Sequence, residues 1–125
     1  MNTIEGVIAY SQLLRPFELP PDDVLAGDPR LWAVELFRTD NRELVTGLFR
    51  CTPGVFRYEF VADETVFLLQ GLLEVEVDGA EDPIRLKPGD SFTFPARTAT
   101  RWTVIETIVD YFVTFDGVRT AEISQ

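Results

Sequence analysis

No histidine occurs among these 125 residues, and cysteine, lysine and methionine each occur once, as Cys51, Lys87 and Met1. Without histidine, Ser-His-Asp and Cys-His nucleophilic catalysis are excluded. One cysteine excludes an intramolecular disulfide and fits a reducing compartment. One lysine confines any Schiff-base chemistry to position 87. Positive charge is scarce as well: 11 Lys and Arg stand against 21 Asp and Glu, a net charge of -10. Phosphate backbones and anionic lipids need clustered cations, so neither nucleic acid nor a membrane surface is an expected partner. No apolar run approaches the roughly 20 residues that span a bilayer. Met1-Asn-Thr-Ile-Glu5 has no basic region and no apolar stretch after it, which gives no sign of a signal peptide, so a cytoplasmic protein is expected.

What the chain does have is apolar and aromatic content, 46% and 12%, enough for a packed core in a single domain spanning 1–125. Short segments rich in β-branched and aromatic residues predict strands at 32–37, 44–51, 55–60, 65–70 and 72–77. The series continues at 84–86, 91–94, 100–106 and 109–115. Asp40-Asn41, Pro53-Gly54, Asp63, Gly71, Asp78-Gly79, Pro88-Gly89 and Pro95 punctuate them. Such spacing predicts an all-β sandwich or closed barrel. One helical turn is expected over residues 20–27, where prolines and acids lead and a glycine closes. Residues 1–30 form an N-terminal extension to the barrel segment 44–115.

Alternation assigns faces. Leu73, Val75 and Val77 alternate with Glu74 and Glu76, which should meet solvent. Thr100, Trp102 and Val104 share one face of their strand, and Arg101 and Thr103 the other. Val109, Tyr111, Val113 and Phe115 oppose Asp110, Phe112 and Thr114. Trp32, Val34 and Leu36 alternate with Ala33, Glu35 and Phe37, so this early strand is apolar on both faces, as is the last one through Phe112. A two-sided apolar strand needs a second cover, and a homodimer is the expected one; the alternative is that residues 1–30 fold back over the barrel.

Two punctuated blocks carry more specific information. The first runs from Gly54 through Phe56-Arg57-Tyr58, Phe60 and Asp63-Glu64 to Gly71, seven residues after Glu64; the second is Pro88-Gly89-Asp90-Ser-Phe92-Thr-Phe94-Pro95. Together they resemble the two motifs of the cupin superfamily over roughly residues 44 to 115. The resemblance implies an RmlC-like jelly roll, a double-stranded β-barrel. Cys51-Thr-Pro-Gly54, Phe94-Pro95-Ala96 and Trp102 add a likeness to the small single-domain cupins related to ureidoglycine aminohydrolase and ethanolamine-utilisation proteins.

Cupin motifs normally hold a metal on three histidines and a glutamate. Counted onto this chain, those positions fall at Tyr58, Phe60, Glu64 and Thr100, and the glycine usual after the second-motif proline is replaced at Arg97. One carboxylate is left of four ligands, and a transition metal needs three or four N, O or S donors, so no metal and no cofactor are expected. Glu64 has two readings. In an apolar pocket it would act as a general acid or base, with Tyr58 beside it, its pKa raised by desolvation. As a structural group it would accept hydrogen bonds from Tyr58, Thr100 or a turn amide; buried carboxylates are more often simply paired, which favours this role. Tyr58, Phe60, Phe92, Phe94 and Trp102, with Glu64 and Thr100, form a candidate ligand cup; equally, these rings could plug the barrel.

Cys51 has no base to make it a thiolate and is read as a buried small hydrophobe. Arg97 and Arg101 could clamp an anion, but exposed arginines balancing an acidic surface are the commoner case. Two functions remain: a cupin that binds an unknown small molecule without the histidine metal site, or a metal-independent enzyme acting on a sugar derivative or an amino or ureido acid through Glu64 and Tyr58.

Overall fold

The structure is a computed structural model that describes residues 12–116. Its frame is a pair of long strands, β6 (Asp63–Val77) and β9 (Ala99–Phe115), antiparallel from Asp63↔Phe115 to Val77↔Thr100. The sequence predicts two strands in each place, divided at Gly71 and near Thr107. Instead the ladder runs through, with register shifts between Leu68 and Leu73 that bend both strands. Gly71 makes the bend possible: its φ is +90°, and a Cβ there would lie 2.2 Å from the Thr107 carbonyl oxygen.

That bend divides the fold into two sheets that share β6 and β9. On one side lie β1 (Arg15–Phe17), β3 (Leu31–Arg38), β4 (Leu44–Cys51), the C-terminal half of β9, the N-terminal half of β6 and β8 (Ser91–Phe94). On the other lie β2 (Val24–Gly27), β5 (Gly54–Glu59), the N-terminal half of β9, the C-terminal half of β6 and β7 (Ile84–Leu86). All pairings are antiparallel, and the curled sheets make the jelly-roll barrel expected from the motifs. The Pro88-Gly89-Asp90 turn fastens it: the Gly89 N–H donates to the Leu68 carbonyl, and the Leu68 N–H to that of Asp90, both at 2.9 Å.

The helical turn expected at 20–27 is only one 3-10 turn, Pro21–Asp23, and the chain then enters β2. Eight residues are too few for a stable helix, and the free edge of β5 offers Val24 and Ala26 a ladder instead. β1, which the sequence pattern does not announce, adds at the β3 edge, Pro16 opposite Trp32. Residues 1–11 of the extension lie outside the described residues. Among the described residues no helix is long and apolar enough to cross a membrane.

Facing side chains follow the alternation. Thr100, Trp102 and Val104 are buried, as are Leu73 and Val75, while Glu76 is exposed. On the last strand the inward face is Ile108, Asp110, Phe112 and Thr114. Phe112 therefore serves the interior, not the outer apolar face.

Candidate functional site

Between the two sheets lies a cavity of about 310 Å³. Phe17 and Leu19 close one side; Leu31, Phe49, Phe56 and Trp102 form apolar walls; Tyr58, Glu64, Asp110 and Thr114 bring the polar atoms. The strand registers explain the convergence. Glu64 lies opposite Thr114, Tyr58 opposite Thr100, and Asp110 between Phe49 and Leu68. β4, β5, β6 and β9 thus each point at least one chemistry-bearing or aromatic residue at the same space.

The aromatic residues divide into a plug and a wall. Phe60 stacks on Phe94 at 4.5 Å and 8°, with the Tyr58 ring edge-on to Phe60 at 4.8 Å. Phe60 and Phe94 are fully buried and do not line the cavity; they fill that end of the barrel. Phe92 packs on Phe94 at 4.8 Å but is 39% exposed at the β8 edge. Trp102 stacks on Phe56 at 5.8 Å and faces the cavity. Of the candidate cup, the structure brings Tyr58, Glu64 and Trp102 together at the cavity and sets Phe60, Phe92, Phe94 and Thr100 apart from it.

Thr100 has a different task. Its hydroxyl donates to the Tyr58 carbonyl at 2.6 Å and accepts the Trp102 indole N–H at 3.1 Å. That fixes the indole and satisfies its donor in the core. Asp63 accepts the Ala96 N–H at 2.8 Å, holding the turn after β8.

Glu64 makes none of the hydrogen bonds a structural carboxylate should make: no donor among the described residues reaches it. Burial alone raises its carboxyl from 4.5 to about 7. Asp110 is more extreme. It is 1% exposed, its Oδ1 has no hydrogen-bond partner among the described residues, and burial followed by the charge of Glu64 pushes it well above the carboxylate range. The Tyr58 hydroxyl is pushed up to about 12 by burial and then by Glu64. Near neutral pH these two acids therefore hold a proton that exposed carboxyls would have lost.

Asp110 is the site residue that sequence reasoning passed over. Its signal was present: a single acid inside the apolar run Ile108-Val-Asp-Tyr-Phe-Val113, on the face it shares with Phe112. Aspartate is disfavoured inside strands and rarely buried without purpose.

Cys51 is fully buried, its thiol donates to the Thr52 carbonyl at 3.2 Å, and burial with Asp110 nearby raises it to about 12. A thiol so suppressed is no nucleophile. Arg97 is exposed in a left-handed turn (φ 68°), and Arg101 lies 3.4 Å from Glu76 on the outside; neither lines the cavity.

The four positions that hold the cupin metal do not fit one here. Phe60 has no donor atom and is stacked on Phe94, and the Thr100 hydroxyl is committed on both sides. Among the described residues no group of three or more Cys, Asp or Glu is placed to hold a metal ion.

The family model described as the EutQ-like cupin domain matches residues 39–111. The chain belongs to this family. The cupin fold also appears in its structural neighbours. The Clostridium difficile EutQ protein is 18% identical, with a TM-score of 0.62, covering 80% of this chain and 81% of that one. The cupin domain of Schizosaccharomyces pombe Cnp3 is 17% identical, with a TM-score of 0.62 over 74% and 66% of the two chains. A protein of unknown function from Pseudomonas syringae pv. tomato reaches a TM-score of 0.71 at 18% identity, over 80% of this chain and 43% of that one. At these identities the likeness speaks for the EutQ-like cupin fold alone. No curated protein matches the chain.

Proposed function

We propose that this EutQ-like cupin binds a small molecule in the cavity between its sheets, without a histidine metal centre. The observation that carries this reading is a space of about 310 Å³ lined by the buried Asp110, whose Oδ1 has no donor among the described residues. An unpaired buried acceptor costs about 1–3 kcal/mol, a cost that a wall serving stability alone would not keep. The open half of the barrel, walled by Trp102 and Phe56 and ended by Tyr58, Glu64 and Asp110, has the composition of a ligand site: mostly apolar, with few convergent polar groups. The reading places the protein in the cytoplasm, with no role for nucleic acid.

A second reading is favoured by the pairing of Glu64 with Asp110. Two raised carboxyls lining one cavity can divide the work, one acting as acid and the other as base. That would suit a metal-independent enzyme on a sugar derivative or an amino or ureido acid. The likeness to ureidoglycine aminohydrolase in the motifs points the same way.

A thermal-shift screen of small amines, carboxylates, ureido compounds and sugars, followed by product analysis of each binder, separates the readings. Stabilisation by a compound that Glu64→Gln no longer recognises supports the site; turnover of that compound selects the enzyme. Binding that survives both Glu64→Gln and Asp110→Asn unchanged contradicts the site.

A further inference from the structure

The cavity is selective in charge. Every polar side-chain atom at its inner end is an acceptor or a weakly acidic hydroxyl: the Glu64 and Asp110 carboxyls, Tyr58 and Thr114. Among the described residues no lysine or arginine lines it. The rings of Phe49, Phe56, Trp102 and Phe112 surround those groups, and aromatic faces attract cations. At the mouth, Glu35 of β3 adds a further acid, ion-paired with Arg38.

We propose that the cavity takes a small primary alkylammonium ion, its head between Glu64 and Asp110 and its tail against the rings. This rests on the reading that the cavity is the ligand site. An ammonium head has three donors and no acceptor, so it suits a lining whose polar groups are the carboxyls of Glu64 and Asp110 and the Tyr58 hydroxyl. A quaternary ammonium carries the charge but has no donor for these carboxyls and hydroxyls. An anion meets two carboxyls with no cation to balance it. A neutral alcohol has one donor and leaves the charge on the pair uncompensated. The volume corresponds to about ten waters at about 30 Å³ each, room for a short chain and not for a large ligand.

Binding is coupled to protons. The free pair retains a proton near neutrality, and the cation stabilises its ionised form, so binding expels that proton and strengthens as pH rises. The other groups facing the pair do not mask this. Tyr58 on β5 and Cys51 on β4 are both pushed up to about 12 and stay neutral. Glu35 on β3 lies in an ion pair with Arg38.

Titration calorimetry of the full chain with n-propylammonium at about pH 7.5, in two buffers of different ionisation enthalpy, tests this. Expected are one site per chain, proton release, and affinity about tenfold or more above tetramethylammonium, n-propanol and n-butyrate. Affinity should also rise about tenfold or more between about pH 6 and pH 8.5, and Asp110→Asn should lower it by a similar factor. Should that variant not fold, the pH series on the natural chain carries the same decision. If n-propanol or n-butyrate binds in the cavity as well as n-propylammonium, the ammonium class is overturned while the ligand site stands. If none of the four probes binds, the ammonium class is overturned; the ligand site then falls too if the wider thermal-shift screen yields no binder that Glu64→Gln or Asp110→Asn weakens.

Discussion

At the residue scale, Glu64 and Asp110 make the protein less stable than its fold would otherwise allow. Both carboxyls are raised above their ordinary values by burial. Below the unfolded value of 4.5 for Glu64, both folded and unfolded states are protonated and nothing is lost. As pH rises toward about 7, the unfolded state ionises first and the native state falls behind. The loss from Glu64 alone is about 3 kcal/mol at most. Asp90 acts in the opposite sense: hydrogen bonds from the Lys87 amide and ammonium hold it low, so its contribution disappears on acidification. We therefore expect Tm to fall between pH 5 and 8, and to fall less in Glu64→Gln and Asp110→Asn than in the natural chain. Equal slopes in all three would show that the pair is not strained by burial. Of this pair, Glu64 was legible because a motif spacing pointed to it. Asp110 was not, because alternation places it beside Phe112 without saying which face of a two-sided strand turns inward.

At the scale of elements, existence was legible and continuity was not. Period-two alternation marks β3 to β9 because each buries one face. Gly71 and the region of Thr107 look like turns in sequence, since glycine commonly ends strands. Here a glycine serves a bend that lets two long strands belong to both sheets, a tertiary demand that no local pattern expresses. The short Pro20–Gly27 segment was misread for a related reason: the free edge of β5 outweighed a weak local preference for helix. Gly71→Ala should cost about 2–4 kcal/mol, combining left-handed strain with the clash on the Thr107 oxygen. Gly79→Ala is the control. Its φ is +85°, but nothing lies within 4 Å of the added Cβ, so only strain remains, about 1 kcal/mol. Urea unfolding of both variants checks this, and equal losses would mean that the bend tolerates a side chain.

At the scale of the whole molecule, one face of the barrel is left apolar. Val34, Tyr111 and Phe67 lie on the outer face of β3, β9 and β6, with the buried Leu48 of β4 in register between Val34 and Tyr111. Beside them Arg50 packs over the Trp32 ring at 4.9 Å. β1 extends this sheet at its edge. We propose that a second copy covers the face in a two-fold dimer, Tyr111 and Phe67 meeting their equivalents. Light scattering at micromolar concentration should give twice the chain mass; a value near 14.2 kDa contradicts the dimer, and Tyr111→Glu should produce that value. Such a dimer would leave the cavity free, since Asp110 and Tyr111 lie on opposite faces of β9. The proposed site lies inside, at two acids that keep a proton where solvent-exposed ones would not. Carbon-13 NMR titration of the Asp and Glu carboxyls measures this most directly, with Glu64→Gln and Asp110→Asn assigning the signals. The account predicts a Glu64 midpoint near 7 and an Asp110 midpoint above the ordinary range, the latter falling when Glu64 is replaced. Both carboxyls titrating independently at about 4, the ordinary range, would contradict it.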